Sequence, residues 1–125
     1  MNKAEKEQYI TEWIKKAKAD NDEFDRDRKD WRDRQIASGT DPNSFDDFFL
    51  YNGFIWASDL ENIVAFALFD KPATIHHERN RYHGTYEEKN LTAEEKEKLT
   101  KVINALVAKK MVRPSKTGTM YKVLI

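Results

Sequence analysis

Apolar residues recur at helical spacing in three parts of the chain. Near the N-terminus, an apolar stripe from Tyr9 to Ala17 repeats every three or four residues and predicts a helix over residues 4–20. In residues 58–69 the apolar positions surround the helix axis almost completely, which predicts the central core helix. Leu99 to Val107 form a third, one-sided stripe that predicts a last helix.

The segment that follows the first predicted helix is more charged than that helix and has a thinner apolar stripe. Residues 20–36 alternate aspartate with arginine and lysine, and Gly39 is expected to end this second N-terminal helix. Two interpretations stay open. The segment is a solvated surface helix, or it is an arm for dimerisation or partner docking, anchored by Trp13, Phe24 and Trp31.

Capping signals predict where the other helices begin. Ser58 with Glu61, and Thr92 with Glu95, have the spacing of capping boxes. Asp41-Pro42 is a turn and helix-start signal, and it predicts a short aromatic helix that ends at Asn52-Gly53.

Short strands follow two of these helices. "FIW" at 54–56 predicts a brief strand. Strands are also expected at Met111 to Arg113 and Thr119 to Leu124, joined by a turn over Pro114 to Gly118. The chain should therefore end on a β-hairpin with a basic tip.

Composition indicates one small domain of 125 residues with fifteen aromatic side chains to build its core. The absence of cysteine excludes disulfides, thiolate metal sites and a cysteine nucleophile. No stretch approaches the length of a membrane helix, and no apolar segment of a signal peptide follows Met1, so a soluble cytoplasmic protein is expected.

The net charge is zero, but acidic and basic residues are unevenly distributed along the chain. Residues 1–70 carry 10 Lys and Arg against 16 Asp and Glu, whereas residues 71–125 carry 12 against 6. An acidic half joined to a basic half favours a basic binding face. The alternative is that the two halves neutralise each other within the fold.

The capped last helix, the corner "LVAKKMV", the basic turn and "YKVLI" together resemble the winged helix-turn-helix superfamily. Met111 follows the two lysines of the corner where that superfamily usually has glycine. The resemblance implies a mainly α fold with a small β-hairpin wing. The expected organisation is a charged N-terminal helical arm at 1–40, which adds helices to a winged-helix-like domain at 41–125.

The resemblance also implies double-stranded DNA as the partner. The wing would contact phosphates through Arg113, Lys116, Thr117 and Lys122. Lys101 and Asn104 on the last helix would lie near the bases, since lysine suits guanine and asparagine suits adenine. Glutamates at 94, 95 and 97 crowd the end of the helix that normally enters the groove, and they oppose phosphate.

Residues 72–91 form a predicted loop whose role stays open. Arg79 and Arg81 are candidates for further phosphate contacts, and a satisfied surface loop is the alternative. His76, His77 and His83 lack the helical spacing of a catalytic zinc site, so no metal is expected.

No P-loop, dinucleotide fingerprint or nucleophile elbow is present, and no cofactor or catalytic group is expected. The sequence thus predicts a small non-enzymatic DNA-binding protein, a regulator or accessory factor of the kind that phages and mobile elements carry. The alternative is a protein-interaction module, or an inhibitor of a larger machine, that uses the acidic N-terminal half and binds no DNA.

Overall fold

A computed structural model of the protein describes residues 1–73 and 91–125. Within these residues the chain is mainly helical and carries one small antiparallel sheet, as the sequence predicts. The helices are α1 (Lys3–Ala37), α2 (Ala57–Phe69) and α3 (Ala93–Ala108), and the strands are β1 (Phe54–Trp56), β2 (Val112–Pro114) and β3 (Met120–Val123). A single 3-10 turn, Pro42–Ser44, lies between α1 and β1.

Helix α1 is one continuous helix where the sequence pattern predicted two. Asn2 caps its start, because the Asn2 side-chain oxygen accepts a hydrogen bond from the Glu5 amide at 2.9 Å. No proline or glycine interrupts residues 3–37, so the charged segment continues the helix without a break. The helix ends at Ala37, and Gly39 follows with a φ of 104°.

The three strands form a sheet in the order β1-β3-β2, with both pairings antiparallel. The predicted hairpin is confirmed to within one or two residues at each strand end. The strand "FIW" is confirmed as well, and Ile55 pairs with Tyr121 of the central strand β3. On the outer face of the hairpin, Arg113 lies opposite Lys122.

One hydrophobic core joins α1, α2, α3 and the sheet, the elements of the described residues. It contains buried residues from α1, β1, α2, α3 and the hairpin: Ile10, Ile14, Ile55, Leu60, Val64, Ala65, Ala67, Leu91, Leu99, Ile103, Leu106, Val112 and Val123. Because Ile10 and Ile14 of α1 belong to this core, packing crosses the domain boundary predicted at residue 40. The N-terminal helix is part of the folded unit along this half of its length.

The short aromatic helix predicted after Pro42 is wrong. Beyond the 3-10 turn, residues 45–53 form irregular chain with turns at 46–47 and 52–53, and the rings of Phe45 and Tyr51 pack against α1. The backbone amides of Tyr51 and Asn52 donate to the side chain of Asp25 on α1, at 2.7 and 2.8 Å. Amides engaged with another helix cannot also close a helical turn, so tertiary contacts override the local helical signal.

One of the two predicted capping boxes is confirmed. Thr92 and Glu95 exchange both hydrogen bonds of the motif at the start of α3. The box predicted for Ser58 and Glu61 is wrong, since α2 begins at Ala57 and is preceded by Trp56 without a side-chain cap. The amide of Ala57 instead donates to the carbonyl of Thr119, so the first residue of α2 is hydrogen-bonded to the residue before β3.

Candidate nucleic-acid interface

The corner between α3 and β2 presents two exposed lysines. The amide of Lys110 donates to the carbonyl of Val107, and the amide of Met111 donates to the carbonyl of Leu106, each at 3.0 Å. This pair of bonds is a Schellman ending, which needs a left-handed residue. Lys110 takes that conformation with a φ of 59°. The position that would favour glycine is therefore Lys110, one residue before Met111.

The hairpin tip is a closed turn that displays Lys116 and Thr117. The amide of Gly118 donates to the carbonyl of Ser115 at 3.1 Å, and Gly118 has a φ of 74°. The amide of Ser115 donates to the carbonyl of Met120 at 2.9 Å. These two hydrogen bonds close the turn between the strands, and Lys116 and Thr117 are exposed at its tip.

Lys122 has a different environment from the other wing cations. Its ammonium donates to the carbonyl of Asn52 and lies 5.2 Å from the centre of the Phe54 ring. Gly53 leaves room for this contact, because a Cβ there would come within 2.9 Å of the Lys122 Nζ. Lys122 therefore bonds the hairpin to the turn before β1, and this conformation leaves it poorly placed for phosphate.

Arg113 and Lys116 are the cations that the hairpin leaves available. Both side chains are exposed, and neither has an ion-pair partner within 4.0 Å in residues 1–73 and 91–125. Thr117 follows Lys116 in the turn, and its hydroxyl shares a hydrogen bond of 2.7 Å with that of Thr119. The structure thus brings Arg113, Lys116 and Thr117 together on one hairpin.

Helix α3 carries the two residues that were predicted to lie near the bases. Lys101 and Asn104 are exposed and three residues apart, so they are neighbours on the helix surface. The Lys101 ammonium lies 3.6 Å from Glu97, and Lys98 lies 3.4 Å from Glu94, with all four side chains mostly exposed. Ion pairs this exposed are weak and can exchange for other partners.

The start of α3 is held by a stronger ion pair. The Lys71 ammonium donates to the Glu95 carboxylate at 2.8 Å, and the amide of Thr92 donates to the same oxygen at 2.9 Å. The hydrogen bond from Lys71 is the main reason that the pKa of Glu95 is lowered below its usual value. This end of the helix is therefore acidic and engaged with the fold, whereas its other end is basic.

The three predicted partner-binding residues lie along one side of α1. Trp13, Phe24 and Trp31 are separated by eleven and seven residues, close to whole numbers of helical turns. They remain 41%, 43% and 40% exposed. Residues 45–51 fold back over the second half of this stripe, where the rings of Phe45 and Trp31 meet edge to face at 5.6 Å.

Phe49 and Trp56 form a further exposed aromatic pair that sequence reasoning missed. Phe49 and Trp56 stack at 6.2 Å, and each is 41% exposed. Tyr51 lies between them and Phe24, with its ring 4.9 Å from Phe49 and 5.3 Å from Phe24. No periodic signal marks these residues, because they lie in a turn and a three-residue strand.

Some predictions fall outside the described residues. Arg79 and Arg81 lie in residues 74–90, as do His76, His77 and His83. Within 1–73 and 91–125, no group of three histidine or acidic side chains could hold a metal ion. In the same residues, no helix is both long enough and apolar enough to cross a membrane.

No protein-family model, curated protein or solved structure matches the chain.

Proposed function

We propose that this chain is a small non-enzymatic DNA-binding protein that grips the phosphate backbone through its C-terminal hairpin. The observation that carries the proposal is the charge of the last elements. No acidic side chain follows Glu97, while seven lysine and arginine residues do. Arg113 and Lys116, on the hairpin, are exposed and have no ion-pair partner in the described part of the chain.

The order of the elements supports the same proposal. One helix, a strand, two further helices and a two-stranded hairpin follow one another among the described residues, and β3 lies between β1 and β2. This order resembles that of winged-helix domains. In such an arrangement, α3 would lie beside the DNA groove and the hairpin tip would extend along the backbone.

Charge indicates which kind of contact dominates. Phosphate contacts supply affinity without reading the sequence, and Arg113, Lys116, Lys109 and Lys110 are all exposed enough to make them. Lys101 and Asn104 would add contacts near the bases. Because Glu94 and Glu97 are exposed at the start of α3, we propose that base reading is minor and that the protein acts as a cytoplasmic accessory factor or regulator.

A fluorescence-polarisation titration tests this function. A labelled random duplex of about 20 base pairs is titrated with protein at about 50 mM salt, where electrostatic binding is strong. We expect saturable binding by the wild type and a loss of affinity of about tenfold or more in Arg113→Glu/Lys116→Glu. Lys15→Glu/Lys29→Glu is the matched control, because it reverses two exposed charges on α1.

Two results of this titration would contradict the proposal. Wild-type protein that fails to bind duplex at about 100 µM, or a hairpin variant that binds as tightly as the α1 control, rules out the hairpin as the phosphate contact.

A second candidate function is favoured by the aromatic residues of the N-terminal half. Phe24, Trp31, Phe49 and Trp56 are each about two-fifths exposed, and Arg32 lies 4.6 Å from the Phe48 ring. Tryptophan, tyrosine and arginine are the side chains that most often dominate protein interfaces. The alternative is therefore a protein-interaction module or inhibitor, or a homodimer formed through this surface.

Sedimentation velocity tests whether the surface joins two copies. A homodimer predicts a sedimentation coefficient that has the dimer value, or rises towards it, between about 5 and 500 µM protein, and the monomer value in Phe49→Glu. A monomer across this range excludes the homodimer and leaves a different partner as the alternative to DNA.

A further inference from the structure

A groove of about 620 Å³ separates the first turns of α1 from the second half of α3. Its floor is apolar and is formed by Ile10, Leu68, Val102, Ala105, Leu106 and Met111. Leu68, Val102 and Met111 are only half-buried, so the groove leaves part of their apolar surface in contact with water. The groove is separate from the hairpin tip and from the aromatic residues of α1.

The rim of the groove is basic. Lys3 and Lys6 line the α1 side, Lys101 and Lys109 line the α3 side, and Glu7 is the one acidic residue among those that line it. Glu97 partly neutralises Lys101 at 3.6 Å, through an exposed and therefore weak ion pair. Lys3, Lys6 and Lys109 have no ion-pair partner in the part of the chain that the structure describes.

The placement of the lysines restricts what the groove fits. Lys101 and Lys109 are eight residues apart, which is about 12 Å at a rise of about 1.5 Å per residue. Positive charge therefore lies along the groove and on both of its sides. A ligand with one anionic head, such as a fatty acid, would engage one end only. A helix with an apolar face and acidic flanks would meet both the floor and the rim.

We propose that this groove docks an acidic amphipathic helix of a partner protein. The apolar face of that helix would cover Val102, Leu106 and Met111, and its glutamates or aspartates would reach the four rim lysines. The proposal rests on the groove alone and does not require the hairpin to bind DNA.

The probe is a synthetic peptide of about 18 residues with leucines at helical spacing and glutamates on the remaining face. Two control peptides accompany it: a scrambled sequence of the same composition, and a version with lysine in place of glutamate. Fluorescence polarisation with full-length protein should give saturable binding below about 100 µM for the acidic peptide. Both control peptides should bind about tenfold more weakly or worse.

Two substitutions on α3 locate the binding surface. Ala105→Glu places a carboxylate in the groove at an exposed position, and it should weaken the acidic peptide by about tenfold or more. Ala108→Glu is the matched control, because Ala108 is exposed on the same helix and does not line the groove. Circular dichroism should show that both variants keep the wild-type helix content.

Lys3→Glu/Lys6→Glu tests the α1 side of the basic rim, and it changes none of the residues proposed to contact DNA. It should weaken the acidic peptide and improve binding of the lysine peptide. The proposal is overturned if the acidic peptide shows no saturable binding, if the scrambled peptide binds equally well, or if Ala105→Glu binds like wild type. Saturable binding of decanoate in the groove, together with no binding of the acidic peptide, would also overturn it.

Discussion

One carboxylate oxygen of Asp25, on helix α1, accepts a hydrogen bond of 2.8 Å from the backbone amide of Asn52, 27 residues further along the chain. Its other oxygen accepts the amide of Tyr51 at 2.7 Å, and Asp25 is 6% exposed. The turn at Asn52 and Gly53, where both residues have positive φ, leads directly into β1. A carboxylate in the middle of a charged helix therefore fixes the start of the sheet.

Replacing Asp25 by asparagine should destabilise the fold. Asparagine keeps one acceptor but turns an NH2 group towards a backbone amide, which leaves a buried donor without a partner. We expect the free energy of unfolding to fall by about 2 kcal/mol in urea denaturation. Asp30→Asn is the control, since Asp30 is exposed on the same helix, and a change below about 0.5 kcal/mol is expected there. Equal effects of the two substitutions would contradict this role for Asp25.

The fold should be more stable with glycine than with lysine at position 110. A residue with a Cβ pays about 1 kcal/mol for the left-handed conformation that Lys110 adopts at a φ of 59°. Lys110→Gly should therefore raise the free energy of unfolding by about 1 kcal/mol. Lys109→Gly should not, because Lys109 has a φ of −79° that suits any residue. A stabilising Lys109→Gly, or a destabilising Lys110→Gly, would show that the corner has another conformation.

The ion pair of Lys71 with Glu95 should make stability depend on pH. The folded state holds the pKa of Glu95 below its value of about 4.5 in an unfolded chain, so the contribution is complete above that pH. It is lost as the pH falls through the lowered folded pKa. A carbon-detected NMR titration should show the pKa of Glu95 rising in Lys71→Met. An unchanged pKa would mean that the Thr92 capping bonds alone lower it.

Lys122 should stabilise the fold, whereas Lys116 should not. Lys122→Met removes the hydrogen bond to the Asn52 carbonyl and should lower the free energy of unfolding by about 1 kcal/mol. Lys116→Met removes an exposed side chain at the hairpin tip and should change it by less than about 0.5 kcal/mol. Comparable values in chemical denaturation would remove the distinction between the two lysines.

The sequence predicted those elements that depend on local signals. The apolar stripe of α3, its Thr92 cap and the turn at Pro114 to Gly118 each specify a structure within a few residues, and all three are present. The stripe from Tyr9 to Ala17 likewise predicted the buried side of α1, where Ile10 and Ile14 lie in the core.

The features that were missed depend on contacts distant in sequence. Asp25 looked like one of many charges in an alternating run, and only the return of residues 51–52 gives it a buried role. Lys122 was predicted to contact phosphate, and only the pairing of β3 with β1 places it beside Asn52. The groove between α1 and α3 has no sequence signal, because its two sides lie about 90 residues apart.

The salt dependence of duplex binding tests the central claim most directly. Affinity is measured between about 50 and 200 mM salt for the wild type, Lys116→Ala and the control Lys15→Ala. If Lys116 contacts a phosphate, its removal should reduce the slope of log affinity against log salt by about 0.9, for every duplex sequence alike. The control slope should equal that of the wild type. A Lys116→Ala slope that also equals that of the wild type would contradict phosphate binding by the hairpin tip.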